Sequence, residues 1–182
     1  MAREKNGLKV ILWNCFQFIN RHELFAAFLH RERPDIVLLN ELKMNTELCN
    51  YFLDITGYVS LYKSRNEHGG GVAVLIRNGL DYIQDLSFDI FNMELIAITI
   101  KIDSGWLGII NIYNPPNCPL SAPVFEVVSK KYNKLLIAGD LNSKTKQIGC
   151  RKDNANGDNL VKILEDNDLH VVNDHTPHIP QL

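Results

Sequence analysis

No stretch of this chain is apolar for long enough to cross a membrane. The longest early candidate, residues 8–13, is interrupted at once by Asn14 and Gln17, too soon for a span or a signal peptide. Excess charge of one sign is missing too. The formal net charge is -2, so no global basic field draws in a polyanion, and a nucleic-acid partner has to be held by local Lys/Arg patches or a metal ion. Cysteine is scarce and scattered. Cys15, Cys49, Cys118 and Cys150 form no C-x-x-C pair and no short metal-ligand spacing, the pattern of reduced thiols in an intracellular protein. Also lacking are the P-loop run G-x-x-x-x-G-K-[ST], the nucleophile elbow G-x-S-x-G and the zinc motif H-E-x-x-H, which removes three familiar chemistries. No repeat, low-complexity tract or linker divides the chain. Its 182 residues, 46% of them hydrophobic, suit one core, and residues 1–182 are expected to form one domain.

What is present is an alternation of short β-branched runs and amphipathic stretches. Residues 8–13 read as a buried strand ending in Asn14. Asn20 stands where a helix cap is expected, and Leu24, Phe25, Phe28 and Leu29 then share one helical face until Pro34. Residues 35–39 form a second buried strand, ending in Asn40-Glu41. Strand, crossover helix and strand imply parallel or mixed sheet. The middle of the chain reads as antiparallel sheet. Runs at 58–62, 72–77, 80–88, 94–102 and 106–113 are separated by turn residues such as Asn78-Gly79 and Asp103-Ser104-Gly105. Helix and strand then alternate again: 125–132, 134–138, a polar loop over 142–157, 159–166 and 169–172.

The strand ends carry the chemistry. In open α/β sheets ligands gather beyond the carboxyl ends of the strands. Here those ends bear Asn14, Glu41, Tyr113-Asn114 and Gly139-Asp140-Leu141-Asn142, a convergent polar set on a rigid base. Such a set suits phosphate-ester cleavage, because a hard cation such as Mg²⁺ often takes only one or two protein carboxylates, the rest being water and phosphate. Glu41 is the first metal-ligand candidate, with Asn14 beside it. Asp140 is placed to orient or deprotonate a water, and Asn142 and Tyr113 to hydrogen-bond the phosphate as charge builds. Asn114, Lys144 and Arg151 are candidate substrate contacts, the basic pair flanking the Asp140 loop. Each residue has a plainer alternative: Asn14 as a turn residue, Glu41 as a helix cap, residues 113–116 as a stiff turn, Gly139-Asp140 as a β-turn. Gly69-Gly70-Gly71 reads first as a tight turn before a strand and second as a phosphate cradle. His22, His30, His68 and His170 read as surface or structural residues.

Trp13-Asn14, Asn40-Glu41, Gly69-Gly70-Gly71-Val72-Ala73-Val74, Asn111-Ile112-Tyr113-Asn114-Pro115-Pro116 and Gly139-Asp140-Leu141-Asn142 come in the order found in the endonuclease/exonuclease/phosphatase superfamily. Together with Gly149-Cys150-Arg151 and Asn156-Gly157, the set most resembles the endonuclease of jockey-type non-LTR retrotransposons. The resemblance implies a DNase I-like α/β fold: a four-layer sandwich of two mixed sheets flanked by helices. It also implies Mg²⁺-dependent nicking of DNA (Mn²⁺ being the alternative ion) to prime reverse transcription. Asn14 and Glu41 would belong to the metal site, Tyr113 would contact the phosphate, and Asp140 and Asn142 would be catalytic. A full-length element would carry a reverse transcriptase domain C-terminal to this one, in a nuclear or cytoplasmic protein.

Two departures from the family pattern stand out. The chain ends at Gln181-Leu182, before the Ser-x-Ile-Asp and Ser-Asp-His motifs that supply the family's catalytic His. The fold is therefore expected to lack its last strands and the chain to have impaired activity, with His175 and His178 not replacing that group. Second, Leu42 follows Glu41 where the family has a small polar residue. Alternatives to the nicking enzyme are a phosphatase or abasic-site nuclease of the same superfamily, and a catalytically dead DNA- or protein-binding remnant.

Overall fold

The computed structural model describes residues 7–172. Its first sheet holds β1 (Val10–Asn14), β2 (Ile36–Asn40), β3 (Tyr58–Lys63) and β4 (Val72–Arg77) in the order β1-β2-β4-β3. The second holds β5 (Tyr82–Asp85), β6 (Glu94–Ile102), β7 (Gly105–Tyr113) and β8 (Leu135–Asp140) in sequence order. Each sheet is mixed. The parallel pairs β1–β2 and β7–β8 are joined through helices α1 (His22–Glu32) and α3 (Ala122–Lys131), and the other pairings are antiparallel.

The strand period of two sorts the side chains into layers. Along β2, Ile36 and Leu38 face the second sheet, in a core shared with Val72, Val74, Ile96, Ile98 and Ile109. Val37 and Leu39 point the other way, onto Phe25 and Leu29 of α1 and Cys49 of α2 (Thr46–Phe52). The outer face of the second sheet buries Leu95, Ala97, Ile110 and Ile112 against Val124 and Val128 of α3 and Leu160 and Ile163 of α4 (Ala155–Asp166). Helix, sheet, sheet and helix form the four-layer α/β sandwich that the resemblance implied. Among the described residues no helix is long and apolar enough to cross a membrane.

Three local expectations need correction, and one helix goes beyond them. Asn20 does not cap α1. The chain enters the helix through a 3-10 turn, Phe18–Arg21, and Asn20 lies inside that turn, donating to Gln17 Oε1 at 3.2 Å. The left-handed residues Phe16 and Gln17 start the helical path before Asn20 is reached. The run at 80–88 is a strand only over Tyr82–Asp85, because Asp85 accepts from Ser87 N at 3.0 Å and caps a second 3-10 helix, Leu86–Phe91. The run at 169–172 forms no strand, and Val172 lies exposed. Helix α2 is an element the sequence did not announce. It has seven residues and starts where Asn45 Oδ1 accepts from Leu48 N at 2.9 Å.

The cysteines are free, as expected. Cys15 and Cys49 are buried, and burial pushes their thiols up, to about 12 and about 11, whereas Cys118 is exposed and Cys150 half-buried. A thiol reagent at pH 8 is therefore expected to modify Cys118 and Cys150 in the native protein and to reach Cys15 and Cys49 only on unfolding. Fast reaction at Cys15 or Cys49 would contradict this packing.

Candidate active site

The same alternation that builds the middle layer aims polar side chains into it at one end. On β1, Val10 faces the second sheet, so Asn14 does as well. On β2 the series Ile36, Leu38 ends in Asn40, on β7 Ile109 is followed by Asn111 and Tyr113, and on β8 Leu136 and Ala138 lead to Asp140. Five strand-borne polar groups thus converge where the two sheets meet.

At the floor of this site two carboxamides bridge the sheets. Asn40 and Asn111 are both fully buried, and Asn40 Nδ2 donates to Asn111 Oδ1 at 2.9 Å. Asn111 Nδ2 in turn donates to the carbonyl oxygens of Leu39 (3.0 Å) and Ala73 (2.9 Å) in the opposite sheet. Asn40 Oδ1 accepts from Asp140 N at 2.8 Å, so the residue that ends β2 fixes the backbone of the one that ends β8. Gly139, one step earlier, can be nothing else. Its φ is 148°, and a Cβ there would lie 1.7 Å from the carbonyl oxygen of Ile112.

Above the floor, two carboxylates share one amide. Asn14 Nδ2 donates to Asp140 Oδ2 at 2.7 Å and to Glu41 Oε1 at 3.1 Å, while its Oδ1 takes the Phe16 N–H at 3.2 Å. In this geometry Asn14 spans the two acids and orients both. Lys43 supplies a cation, its Nζ lying 3.7 Å from Glu41 Oε2. Glu41 is held in a left-handed conformation (φ 56°), as is Lys43 (φ 51°), and the segment between them is clamped from below. Leu42 N donates to Gly71 O at 3.2 Å and Lys43 N to Gly70 O at 2.9 Å. Leu42 itself is fully buried, with its side chain against Gly71, so an apolar residue beside the acidic one serves packing.

The triple glycine is thus a loop that supports Glu41. Glu94 accepts from Gly71 N and pairs with Arg65 Nη1 at 2.8 Å, while Arg65 Nε donates to Gly69 O at 2.8 Å. Side chains at Gly69 or Gly70 would collide with the Arg65 guanidinium. Glu94 pairs in register with Tyr113 and is a third acid facing the site, one the sequence reading passed over because it opens a strand with no motif around it.

Tyr113 is buried, and its phenol is pushed up to about 12, first by burial and then by the charges of Glu41, Asp140 and Glu94, against the opposing pull of Arg65. It keeps its proton through neutral pH and is available as a donor. Asn142 is left-handed (φ 48°), with its N–H on Asp140 Oδ1 at 3.0 Å and its Nδ2 on Asn114 O at 2.9 Å. Asn114 is corrected from substrate contact to brace. It is 2% exposed, and its Nδ2 donates to the carbonyls of Cys118 (2.9 Å), Pro115 (3.3 Å) and Leu141 (3.4 Å). Lys144 and Arg151 are both exposed and line one shallow concavity with Cys150 and Lys152 beside the Asp140–Asn142 turn. Asn154 ties that loop to α4, accepting from Gly157 N (2.8 Å) and Lys144 N (2.9 Å) while donating to Asn142 O (2.9 Å). His22 packs edge-on against Phe18 and Phe52, a structural role, and His175 and His178 lie outside the described residues.

Replacing Asn111 by Ala removes a buried donor from the Leu39 and Ala73 carbonyls and the cross-sheet acceptor of Asn40 Nδ2, which keeps only its bond to Leu39 O, and is expected to destabilise the fold by roughly 1–3 kcal/mol in urea titrations. A loss within error would refute the bridge. For Tyr113 the folded value lies above the unfolded one of about 10. Its contribution is therefore complete below pH 10 and lost as pH rises toward 12. Burial raises Tyr58 and Tyr132 as well, so a spectrophotometric titration should show several late-ionising phenols and Tyr113→Phe should remove one of them.

Comparison with known proteins agrees with this geometry. Residues 11–178 match the Endonuclease/Exonuclease/phosphatase family. A probable RNA-directed DNA polymerase from transposon BS of Drosophila melanogaster is 23% identical over 141 residues, 76% of this chain and 16% of that protein. Another, from transposon X-element of the same organism, is 22% identical over 158 residues, 86% of this chain and 17% of the relative. The chain thus spans about a sixth of these curated relatives. Among solved structures, the endonuclease domain of TRAS1, a telomere-specific non-LTR retrotransposon, superposes with a TM-score of 0.75 at 19% identity, over 94% of this chain and 76% of that one. An AP endonuclease from Archaeoglobus fulgidus gives 0.62 at 18% identity, over 87% and 70%. With the ordered strand-end motifs and the four-layer sandwich, the match over residues 11–178 makes this chain a member of the Endonuclease/Exonuclease/phosphatase family.

Proposed function

We propose that the chain is a Mg²⁺-dependent endonuclease domain that nicks DNA, of the kind found in non-LTR retrotransposon proteins. One observation carries the reading: a single amide, on Asn14, holds two carboxylates from opposite sheets, Glu41 and Asp140, against each other. Two anions so close repel, and a bound cation relieves that repulsion. The donor set is carboxylate and amide, and among the described residues no group of three or more His, Cys, Asp or Glu is placed to hold a metal ion, so an ion here would draw most of its ligands from water and phosphate. Such a set fits a hard divalent ion that keeps water and phosphate as its other ligands. Glu41 would hold it, with Asn14 orienting the acid and Mn²⁺ as the substitute ion. The ion supplies neutralisation of phosphate charge.

The chain's own groups do the rest. Asp140 orients a water and takes its proton as the water oxygen bonds to phosphorus. The P–O3′ bond breaks, and the departing 3′-oxygen is protonated from solvent, leaving the 3′-hydroxyl that primes reverse transcription. Asn142 and the neutral phenol of Tyr113 donate to phosphate oxygens as charge builds. Lys144 and Arg151 hold the flanking backbone without reading sequence. DNA as substrate, and a reverse transcriptase domain as the neighbour in a longer protein, draw support from the names of the transposon polymerases and of the TRAS1 domain.

Supercoiled plasmid is expected to be nicked with Mg²⁺ and not with EDTA, and Asp140→Ala to slow nicking by roughly a hundredfold or more. Nicking that survives Asp140→Ala would overturn the assignment. DNA binding by the folded chain with no turnover would favour a binding module instead.

A further inference from the structure

Backbone strain is concentrated beside the proposed active site. Of the non-glycine residues with positive φ, Phe16 (38°), Gln17 (82°), Glu41 (56°), Lys43 (51°) and Asn142 (48°) all border it. Such conformations cost free energy and persist only where the surroundings over-determine them. Four of the five have roles in the site or its supporting turns. Phe16 is the exception: a bulky apolar side chain, largely exposed, with only Lys43 set over its ring. Its ring is 58% exposed, yet it sits between two fully buried anchors, Cys15 and Phe18. The loop that presents it runs along the Glu41 segment, with Cys15 N on Asn40 O (3.0 Å), Gln17 N on Glu41 O (3.1 Å) and Phe18 N on Leu42 O (3.2 Å). The Phe16 N–H is held by Asn14 Oδ1. A bulky residue is therefore forced into left-handed backbone, two residues from Asn14, and its ring is turned out to solvent.

The ring is also electrostatically prepared. Lys43 Nζ lies 3.6 Å from the ring centroid and 3.7 Å from Glu41 Oε2, so ring, ammonium and carboxylate form one continuous surface. We propose that Phe16, backed by Lys43, stacks on a base displaced from the DNA helix next to the scissile phosphate, and so directs cleavage toward strands with an unstacked nucleotide. An exposed aromatic beside a phosphate site, with a cation against it, is the arrangement by which proteins hold unpaired bases without reading their identity. The inference rests on the phosphodiester reading of the site.

The test is binding in EDTA, where turnover is absent, of two labelled duplexes: one fully paired, one with a single unpaired nucleotide. Wild type is expected to prefer the second. Phe16→Ala should weaken that complex by roughly ten- to hundredfold and erase the preference. The dependence of affinity on salt should stay unchanged, since stacking releases no counterions, and Phe16→Tyr should retain the preference. Phe16 is exposed, so thermal unfolding of the variants should match wild type. Equal affinity of wild type for both duplexes, an unchanged preference in Phe16→Ala, or a loss accompanied by a shallower salt dependence would each overturn the stacking role. Those results leave Mg²⁺-dependent plasmid nicking by wild type intact. Failure of the underlying reading differs: wild type then fails to nick plasmid in Mg²⁺.

Discussion

Two carboxamides meeting in the middle layer hold the rest of the site in place. Asn40 and Asn111 sit on strands of different sheets, at positions where alternation calls for an apolar side chain, and each hydrogen-bonds across to the other sheet. A buried amide without partners is costly, and a satisfied one rigidifies what it links. Because Asn40 also takes the Asp140 N–H, the relative shift of the two sheets and the height of Asp140 are set by one side chain. Apolar packing between the sheets brings them together without fixing their register so closely.

Everything above the bridge inherits this precision. Asn14 can span Glu41 and Asp140 only if β1 and β8 end at the same level. Glu41 reaches inward because its loop is bent through left-handed conformations and pinned to the glycine loop, itself anchored by Glu94 and Arg65. On the other side, a second series of asparagines (Asn114, Asn142, Asn154 and Asn156) stitches the loops after β7 and β8 to each other and to α4. Asparagine suits both tasks, being short, uncharged, and able to donate and accept at once.

Much of this was legible in the sequence. The β-branched runs ended in polar residues, and the fold brings those endings together: Asn14, Glu41, Tyr113, Asp140 and Asn142 lie at one end of the sandwich. The layered fold followed from the same pattern. The supporting residues were harder to see. Asn111 interrupts Ile109-Ile110-Asn111-Ile112, and a lone amide inside a buried strand was the available signal for the bridge, but its partner across the sheets follows only from tertiary packing. Asn114 looked like a ligand contact because it adjoins Tyr113. It lies just past the end of β7, however, and its amide turns to the loop carbonyls. Helix α2 is too short for a clear period, and the left-handed stretch at Phe16 and Gln17 has no glycine to announce it.

If the inter-sheet amide bridge sets the metal site, an atom that never touches the ion should control its affinity. The most direct measurement is calorimetric titration of Mg²⁺ into wild type and Asn40→Ala, with folding checked by circular dichroism. Removing the acceptor of the Asp140 N–H is expected to weaken Mg²⁺ binding by roughly tenfold or more, in line with the loss of other outer-shell supports. Unchanged Mg²⁺ affinity in a folded Asn40→Ala protein would contradict the central place given to the bridge.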